Sequence, residues 1–175
     1  MSFISSLMEK YKRRDMIKYA RNLGVRVGDR CKIDRTVEFD SEPYLIEIGN
    51  HTHVTNGVRF ITHDGGVWTI RALYGLKDGG LPGPIKIGDN CFIGNNAAIM
   101  PNVTIGNNCI IGYGSIVTHN IPDNEIWAGI PARRIESIEE YWEKNKDRIT
   151  VPPHGYAAKK QWLLKHFYGK SENNC

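Results

Sequence analysis

No stretch of the 175-residue chain approaches the roughly 18 consecutive apolar residues that a membrane span requires. The amino-terminal "MSFISSLMEKYKRR" carries its charges after a short apolar patch rather than before a longer one, so it makes a poor secretory signal. The four cysteines include no CxxC pair and no metal-finger spacing, which argues against a zinc module and against a disulfide framework. These absences lead us to expect a cytoplasmic protein with reduced thiols. Charge of one sign is also scarce. A net +4, scattered along the chain, is too little to imply a nucleic-acid partner. The densest basic run, Lys10-Tyr11-Lys12-Arg13-Arg14, reads as a solvated helix face, with attraction to acidic ligands or a membrane surface as the alternative.

Glycine, in contrast, is abundant, and the 18 glycines are periodic rather than clustered. From Ile87 an aliphatic residue recurs every six positions, at Ile93, Ile99, Ile105, Ile111 and Val117, and Gly88, Gly94, Gly106 and Gly112 follow four of these. Upstream the phase holds at Val27, Ile33 and Phe39, slips by three residues near Pro43, and resumes at Ile48, Val54 and Phe60. One hexad plus an insertion of 21 residues then separates Phe60 from Ile87. Cys31, Thr52, Cys91 and Cys109 occupy one step position, and their spacing reduces to 18 once both insertions are removed. Three hexads therefore make one coil, and these small residues form a column inside it as core fillers.

A period of six matches neither the 3.6 of a helix nor the 2 of an ordinary strand. It fits a short strand plus a corner, so three sides close a prism whose backbone hydrogen bonds run from coil to coil. Outside the prism, residues 2–22 read as an amphipathic helix, with Leu7, Tyr11 and Ile17 among its apolar positions, that closes the first coil. Ser137-Ile138-Glu139-Glu140 is a capping-box signal, and Val151-Pro152-Pro153 breaks the chain before a second helical segment. Trp142, Trp162, Leu163 and Phe167 read as packing residues over the open end of the prism, or else as contacts for a membrane or partner. The tail "KSENNC", with Cys175, reads as disordered.

The run "IGDNCFIGNNAAIMPNVTIGNNCIIGYGSIVTHNIPDNEIWAGIPARRI" resembles the hexapeptide-repeat acyltransferases. The resemblance covers roughly residues 25 to 136 and implies an all-β solenoid, the left-handed parallel β-helix, with amino- and carboxy-terminal helices. The expected organisation is a helix in 1–24, the β-helix in 25–135 with its insertion at 64–84, and helices with a tail in 136–175. The "FITHDGGVW" element is most similar to acetyltransferases of surface-polysaccharide biosynthesis, which implies acetyl-CoA as donor and a carbohydrate hydroxyl as acceptor. An amino-sugar N-acetyltransferase and a streptogramin-type O-acetyltransferase share the prism. From other classes, a zinc hydratase and a non-catalytic assembly protein remain as readings.

The interruption at His63-Asp64 carries the chemistry. His63 falls on the outer wall at the mouth of the insertion, and a neutral imidazole there suits removal of a hydroxyl proton, a role worth about 10²–10⁴ in rate. The resemblance implies that role for His63. Asp64 is one candidate to orient it; a carbonyl or a residue from another chain are the others. Gly65-Gly66 permit a tight departure and "KDGGLPGP" the return, while Trp68, Ile70, Leu73 and Tyr74 suggest a packed lid. Trp68, Arg71 and His53 are candidate acceptor contacts. No histidine pair has the His-x4-His spacing of three-histidine zinc sites, so no metal is expected, and His51 and His53 are assigned supporting roles. The resemblance further implies coenzyme A contacts at Asn95, Tyr113, Thr118, His119, Arg133 and Arg134, in a groove between subunits of a homotrimer. Tyr113 stands where a small residue is common, and His119 where lysine is frequent.

Overall fold

The structure, a computed structural model, describes residues 15–169. Leu7, Tyr11, the basic run from Lys10 and the tail with Cys175 lie outside these residues. Two compact units divide the chain, the first ending at Glu140 and the second beginning at Tyr141.

The first unit is a three-sided parallel β-helix. Face one holds β1 (Arg26–Val27), β4 (Ile46–Ile48), β7 (Ile85–Ile87) and β10 (Thr104–Ile105). Face two holds β2 (Lys32–Ile33), β5 (His53–Val54), β8 (Phe92–Ile93), β11 (Ile110–Ile111), β13 (Glu125–Gly129) and β14 (Ala132–Ser137). Face three holds β3 (Glu38–Phe39), β6 (Arg59–Phe60), β9 (Ala98–Ile99) and β12 (Ile116–Val117). The register follows the hexad count. Val27 pairs with Ile48, Ile48 with Ile87 and Ile87 with Ile105, so both insertions fall outside the strands. The last coil departs from the count: Val117 still pairs with Ile99, but Ile105 bridges Ile121 and Ile110 pairs with Ile126, so the corner at residues 118–120 is two residues shorter.

The recurring aliphatics are the core, with Ile87, Ile93, Ile99, Ile105, Ile111 and Val117 all buried. Burial of such a side chain stabilises by about 1.5–3 kcal/mol over leaving it exposed. Glycine follows these residues because the next coil passes close by. A Cβ on Gly88 would lie 2.6 Å from the Gly106 carbonyl oxygen, and one on Gly94 would lie 2.6 Å from that of Ile111. The small-residue column does more than fill space, since each member donates a hydrogen bond to the adjoining coil. Cys31 Sγ reaches Gly49 O at 2.9 Å, Thr52 Oγ1 reaches Gly88 O at 3.0 Å, and Cys91 Sγ reaches Gly106 O at 3.0 Å. Cys109 Sγ continues the series to Pro122 O at 3.1 Å.

A second column lies outside, at the corner joining faces one and two. Arg30, His51, Asn90, Asn108 and Asn124 occupy it with positive φ, a conformation that asparagine tolerates better than most residues. His51 Nδ1 meets Asn90 Oδ1 at 2.8 Å, and Asn90 Nδ2 donates to Asn108 Oδ1 at 2.9 Å. His51 is thus a rung of a corner ladder, a role its sequence context did not suggest.

At the amino-terminal end, α1 (Met16–Asn22) buries Met16 and Ala20 against the first coil with Ile17 partly buried beside them, and the earlier part of the expected helix lies outside the described residues. At the other end β13 and β14 form an antiparallel hairpin, with Ile121, Ile126 and Ala132 buried. The insertion contains α2 (Val67–Tyr74), and the second unit continues from α3 (Ile138–Asn145) into α4 (Tyr156–Tyr168). The capping box forms as read: Glu140 N donates to Ser137 Oγ at 3.0 Å, and Ser137 N donates back to the Glu140 carboxylate. Trp142 and Phe167 are exposed, so neither is the packing residue expected from its apolar character.

Candidate active site

Both irregularities of the repeat fall at the corner joining faces three and one. The three-residue slip is a 3-10 turn at Pro43–Leu45, and the 21-residue insertion leaves the same corner one coil later. Stacking therefore sets residues 40–42 beside His63. The insertion is closed at its base by a short antiparallel pairing: Gly83 N donates to Thr62 O at 2.8 Å, and Asp64 N donates to Leu81 O at 3.0 Å. Thr62 is the buried residue of this corner, and His63 faces outward.

His63 Nδ1 lies 3.1 Å from Glu42 Oε2, 3.2 Å from Asp40 Oδ2 and 3.2 Å from Ser41 Oγ. Ionised carboxylates only accept, so Nδ1 carries a proton, and in the neutral ring the lone pair falls to Nε2, the tautomer a general base needs. Glu42 Oε2 also accepts from Thr62 Oγ1 at 2.7 Å and from Ser41 Oγ at 2.9 Å. The Thr62 bond leads in holding the Glu42 carboxyl below its ordinary value, with Ser41 and His63 contributing to the same effect against partial desolvation. Asp40 Oδ2 accepts from Thr62 N at 3.0 Å.

Asp64 does not orient His63. Its Oδ1 accepts from Gly66 N at 2.7 Å and shapes the departing turn. Neither Gly65 nor Gly66 takes a positive φ; that conformation falls to Gly75, at φ 67, which ends α2. The orienting groups come instead from one coil earlier, a partnership that a search of the histidine's sequence neighbours misses.

His63, Glu42, Trp68 and Arg71 line one cavity of about 650 Å³. The Arg71 side chain is steadied by donation to Gly79 O. The lid is a helix, but not a packed one: none of its residues is buried, and Trp68 is 78% exposed. His53 lies elsewhere, on face two, packed edge-on against Phe92 at 5.5 Å, so one chain does not bring it to His63. Burial first, and then the Lys32 charge, hold His53 below its ordinary value of 6.5.

With His51 and His53 away from His63, a three-histidine zinc site does not form within one chain. Among the described residues, Asp40, Glu42 and His63 are the one grouping with metal-ligand proximity, their donor atoms lying within 4.8 Å of one another. The hydrogen bonds above employ the same atoms.

The donor positions divide between two corners. Asn95 and the 73%-exposed Tyr113 stack at the corner joining faces two and three, where Tyr113 Oη accepts from Asn96 Nδ2 at 3.0 Å. Thr118 and His119, 2.8 Å apart at Oγ1 and Nδ1, lie two coils beyond His63 on its own corner. Arg133, on β14 opposite Ala128, uses one guanidinium nitrogen on Ala132 O and is otherwise exposed. Arg134 pairs instead with Glu125 at 3.1 Å and Glu140 at 3.3 Å.

The fold and site together define a hexapeptide solenoid with a carboxylate-held histidine beneath a looped corner. Residues 84–119 match the family described as bacterial transferase hexapeptide (six repeats). Over 151 residues, 84% of this chain and 86% of the relative, the chain is 51% identical to Protein CapG of Staphylococcus aureus. A solved galactoside acetyltransferase in complex with coenzyme A aligns with a TM-score of 0.56 at 27% identity, covering 78% of this chain and 82% of that one. A maltose O-acetyltransferase from Clostridium difficile 630 aligns with a TM-score of 0.52 at 25% identity, covering 75% and 83%. The chain belongs to the hexapeptide-repeat acetyltransferases, with their left-handed parallel β-helix, and is an acetyl-CoA-dependent O-acetyltransferase. No described helix is long and apolar enough to cross a membrane.

Proposed function

We propose that the enzyme transfers acetyl from acetyl-CoA to a hydroxyl of a carbohydrate, a surface polysaccharide or its precursor, with His63 as general base. The observation that carries this reading is the contact of His63 Nδ1 with Glu42 and Asp40, which leaves Nε2 as the free base at the lidded cavity. Nε2 takes the hydroxyl proton as the oxygen attacks the thioester carbonyl, and Glu42 stabilises the imidazolium that results. Collapse of the tetrahedral intermediate expels the coenzyme A thiolate, which recovers the proton from His63. No covalent enzyme intermediate is needed. Trp68 offers a stacking surface for a sugar ring, and Arg71 offers donors to its hydroxyls.

The donor lies in a groove between two protomers of a homotrimer. Two features favour this: one chain divides the donor positions between two corners, and its lid helix leaves Trp68, Leu73 and Tyr74 exposed. Arg133 and His119 are the proposed contacts for the nucleotide phosphates and the pantetheine arm. A screen of sugars with acetyl-CoA and thiol detection tests the assignment. His63→Ala should lower kcat by about 10²–10⁴ with acetyl-CoA affinity nearly unchanged. Normal turnover by that variant removes His63 from the mechanism.

A further inference from the structure

Charge is segregated along this chain although its total is modest. Residues 25–140 contain ten Lys and Arg against fourteen Asp and Glu, whereas residues 141–175 contain seven against three. The prism is therefore acidic and the second unit strongly basic. No described residue of that second unit is buried. Tyr141, Trp142, Ile149, Val151, Tyr156 and Phe167 are all exposed, Tyr156 at 86% and Phe167 at 65%.

The exposed groups are ordered along α4. Tyr156, Lys160, the half-buried Leu163 and Phe167 stand at i, i+4, i+7 and i+11, which places them on one helix face. Lys159 flanks that face, Lys165 lies on the opposite side of the helix, and Trp162 stacks on His166 at 4.7 Å. Rings with polar tips interleaved with long cationic side chains suit a water–lipid boundary, where the ring enters the headgroup layer and the ammonium meets phosphate. Neither α3, at 8 residues, nor α4, at 13, is long enough to span.

We propose that residues 141–169 form a docking surface for anionic lipid bilayers, seating the enzyme at a membrane surface without crossing it. The complementarity is electrostatic first. Attraction to an anionic leaflet grows with each Lys or Arg near the surface, and the described part of this unit carries six against two acidic residues. The acidic prism gains nothing from the same surface, whereas residues 1–24 carry a further six Lys and Arg against two acidic residues. Aromatic insertion then supplies the contact that a solely ionic patch lacks.

Co-sedimentation of the full-length enzyme with vesicles tests this, independently of acetyl transfer. Binding is expected to vesicles of phosphatidylglycerol and phosphatidylcholine in equal parts, not to phosphatidylcholine alone, and should weaken between about 0.05 and 0.5 M salt. Replacing Lys159→Gln together with Lys160→Gln should reduce partitioning by about tenfold or more. Tyr156→Ala with Phe167→Ala should also weaken binding and remove a vesicle-induced blue shift of tryptophan emission. Both double variants should keep acetyl transfer to a soluble acceptor. Failure to bind the anionic vesicles, equal binding to neutral ones, or full binding by the lysine variant overturns the proposal. A Tyr156/Phe167 variant that changes oligomeric state while leaving vesicle binding intact overturns it too, and assigns the surface to a second copy of the chain.

Discussion

Glu42 and His63 are 21 residues apart in the chain and 3.1 Å apart in space. That separation is one coil of eighteen plus the three-residue slip, so the carboxylate reaches the imidazole because the first irregularity lies directly against the second. Glu42→Gln should lower kcat by about 10–10²-fold and leave the acetyl-CoA KM unchanged, since the residue acts through His63. Steady-state kinetics of this variant beside Asp40→Asn checks the assignment. Unaltered kcat in both would leave the imidazole without its orienting groups. Because the Glu42 carboxyl is held below its ordinary 4.5, its stabilising contribution is present above that value and fades only as pH falls through the lower folded value.

The Asp40–Glu42–His63 grouping serves proton positioning in this reading, so removal of divalent metal should not matter. Dialysis against a chelator, followed by activity and metal analysis, is expected to leave turnover intact. Loss of turnover with recovery on adding zinc would show that these three side chains hold an ion.

The two arginines of "PARRI" should separate in their effects. Arg133→Ala is expected to raise the acetyl-CoA KM more than it lowers kcat, because phosphate contacts are made in ground and transition states alike. Arg134→Ala should instead lower stability by about 0.5–1 kcal/mol, given its partly exposed bridges to Glu125 and Glu140, with acetyl-CoA KM held. Thermal melts and initial rates on both variants distinguish the two roles.

His53 provides a pH signature away from the site. Burial and Lys32 disfavour its protonated form, so the folded value lies below the ordinary 6.5. Its contribution to stability is therefore present above about pH 6.5 and is lost as pH falls through the folded value. His53→Gln should flatten that part of the stability–pH curve. A curve with the same slope would place the proton uptake elsewhere.

Light scattering should find a trimer, and replacing residues 67–82 with a short Gly-Ser linker should impair acceptor use while coenzyme A still binds. A monomer would remove the shared donor groove, and full acetyl transfer without the lid would make the insertion incidental.

Much of this architecture was legible beforehand because a six-residue period admits few geometries. The Val27–Ile48–Ile87 register follows from counting once the two insertions are subtracted. The orienting pair was not legible in the same way. Glu42 sits where the repeat fails, and a failed repeat gives no direction to a side chain. Its signal was available only in the matching phase of the two irregularities, one after Phe39 and the other after Phe60, residues that pair across coils. Asp64 was the natural candidate by adjacency, yet neighbouring residues diverge on an extended chain and its carboxylate turns to Gly66. The ion pairs of Arg134 were hidden for a related reason: Glu125 and Glu140 become its neighbours only through the β13–β14 hairpin and the start of α3.

The coils also act as a measuring device. His63 and Thr118 share one corner two coils apart, a rise of about 10 Å at the usual strand spacing. A donor anchored near the hairpin and laid along the prism thus has its reach read off in whole steps, and only an arm of matching length presents its acyl carbon to the imidazole. In the proposed donor site, one further eighteen-residue coil between Pro84 and Thr104 would leave the thioester one rung short of the base. The number of turns between His63 and Thr118, rather than a pocket wall, would then set the reach required of the donor.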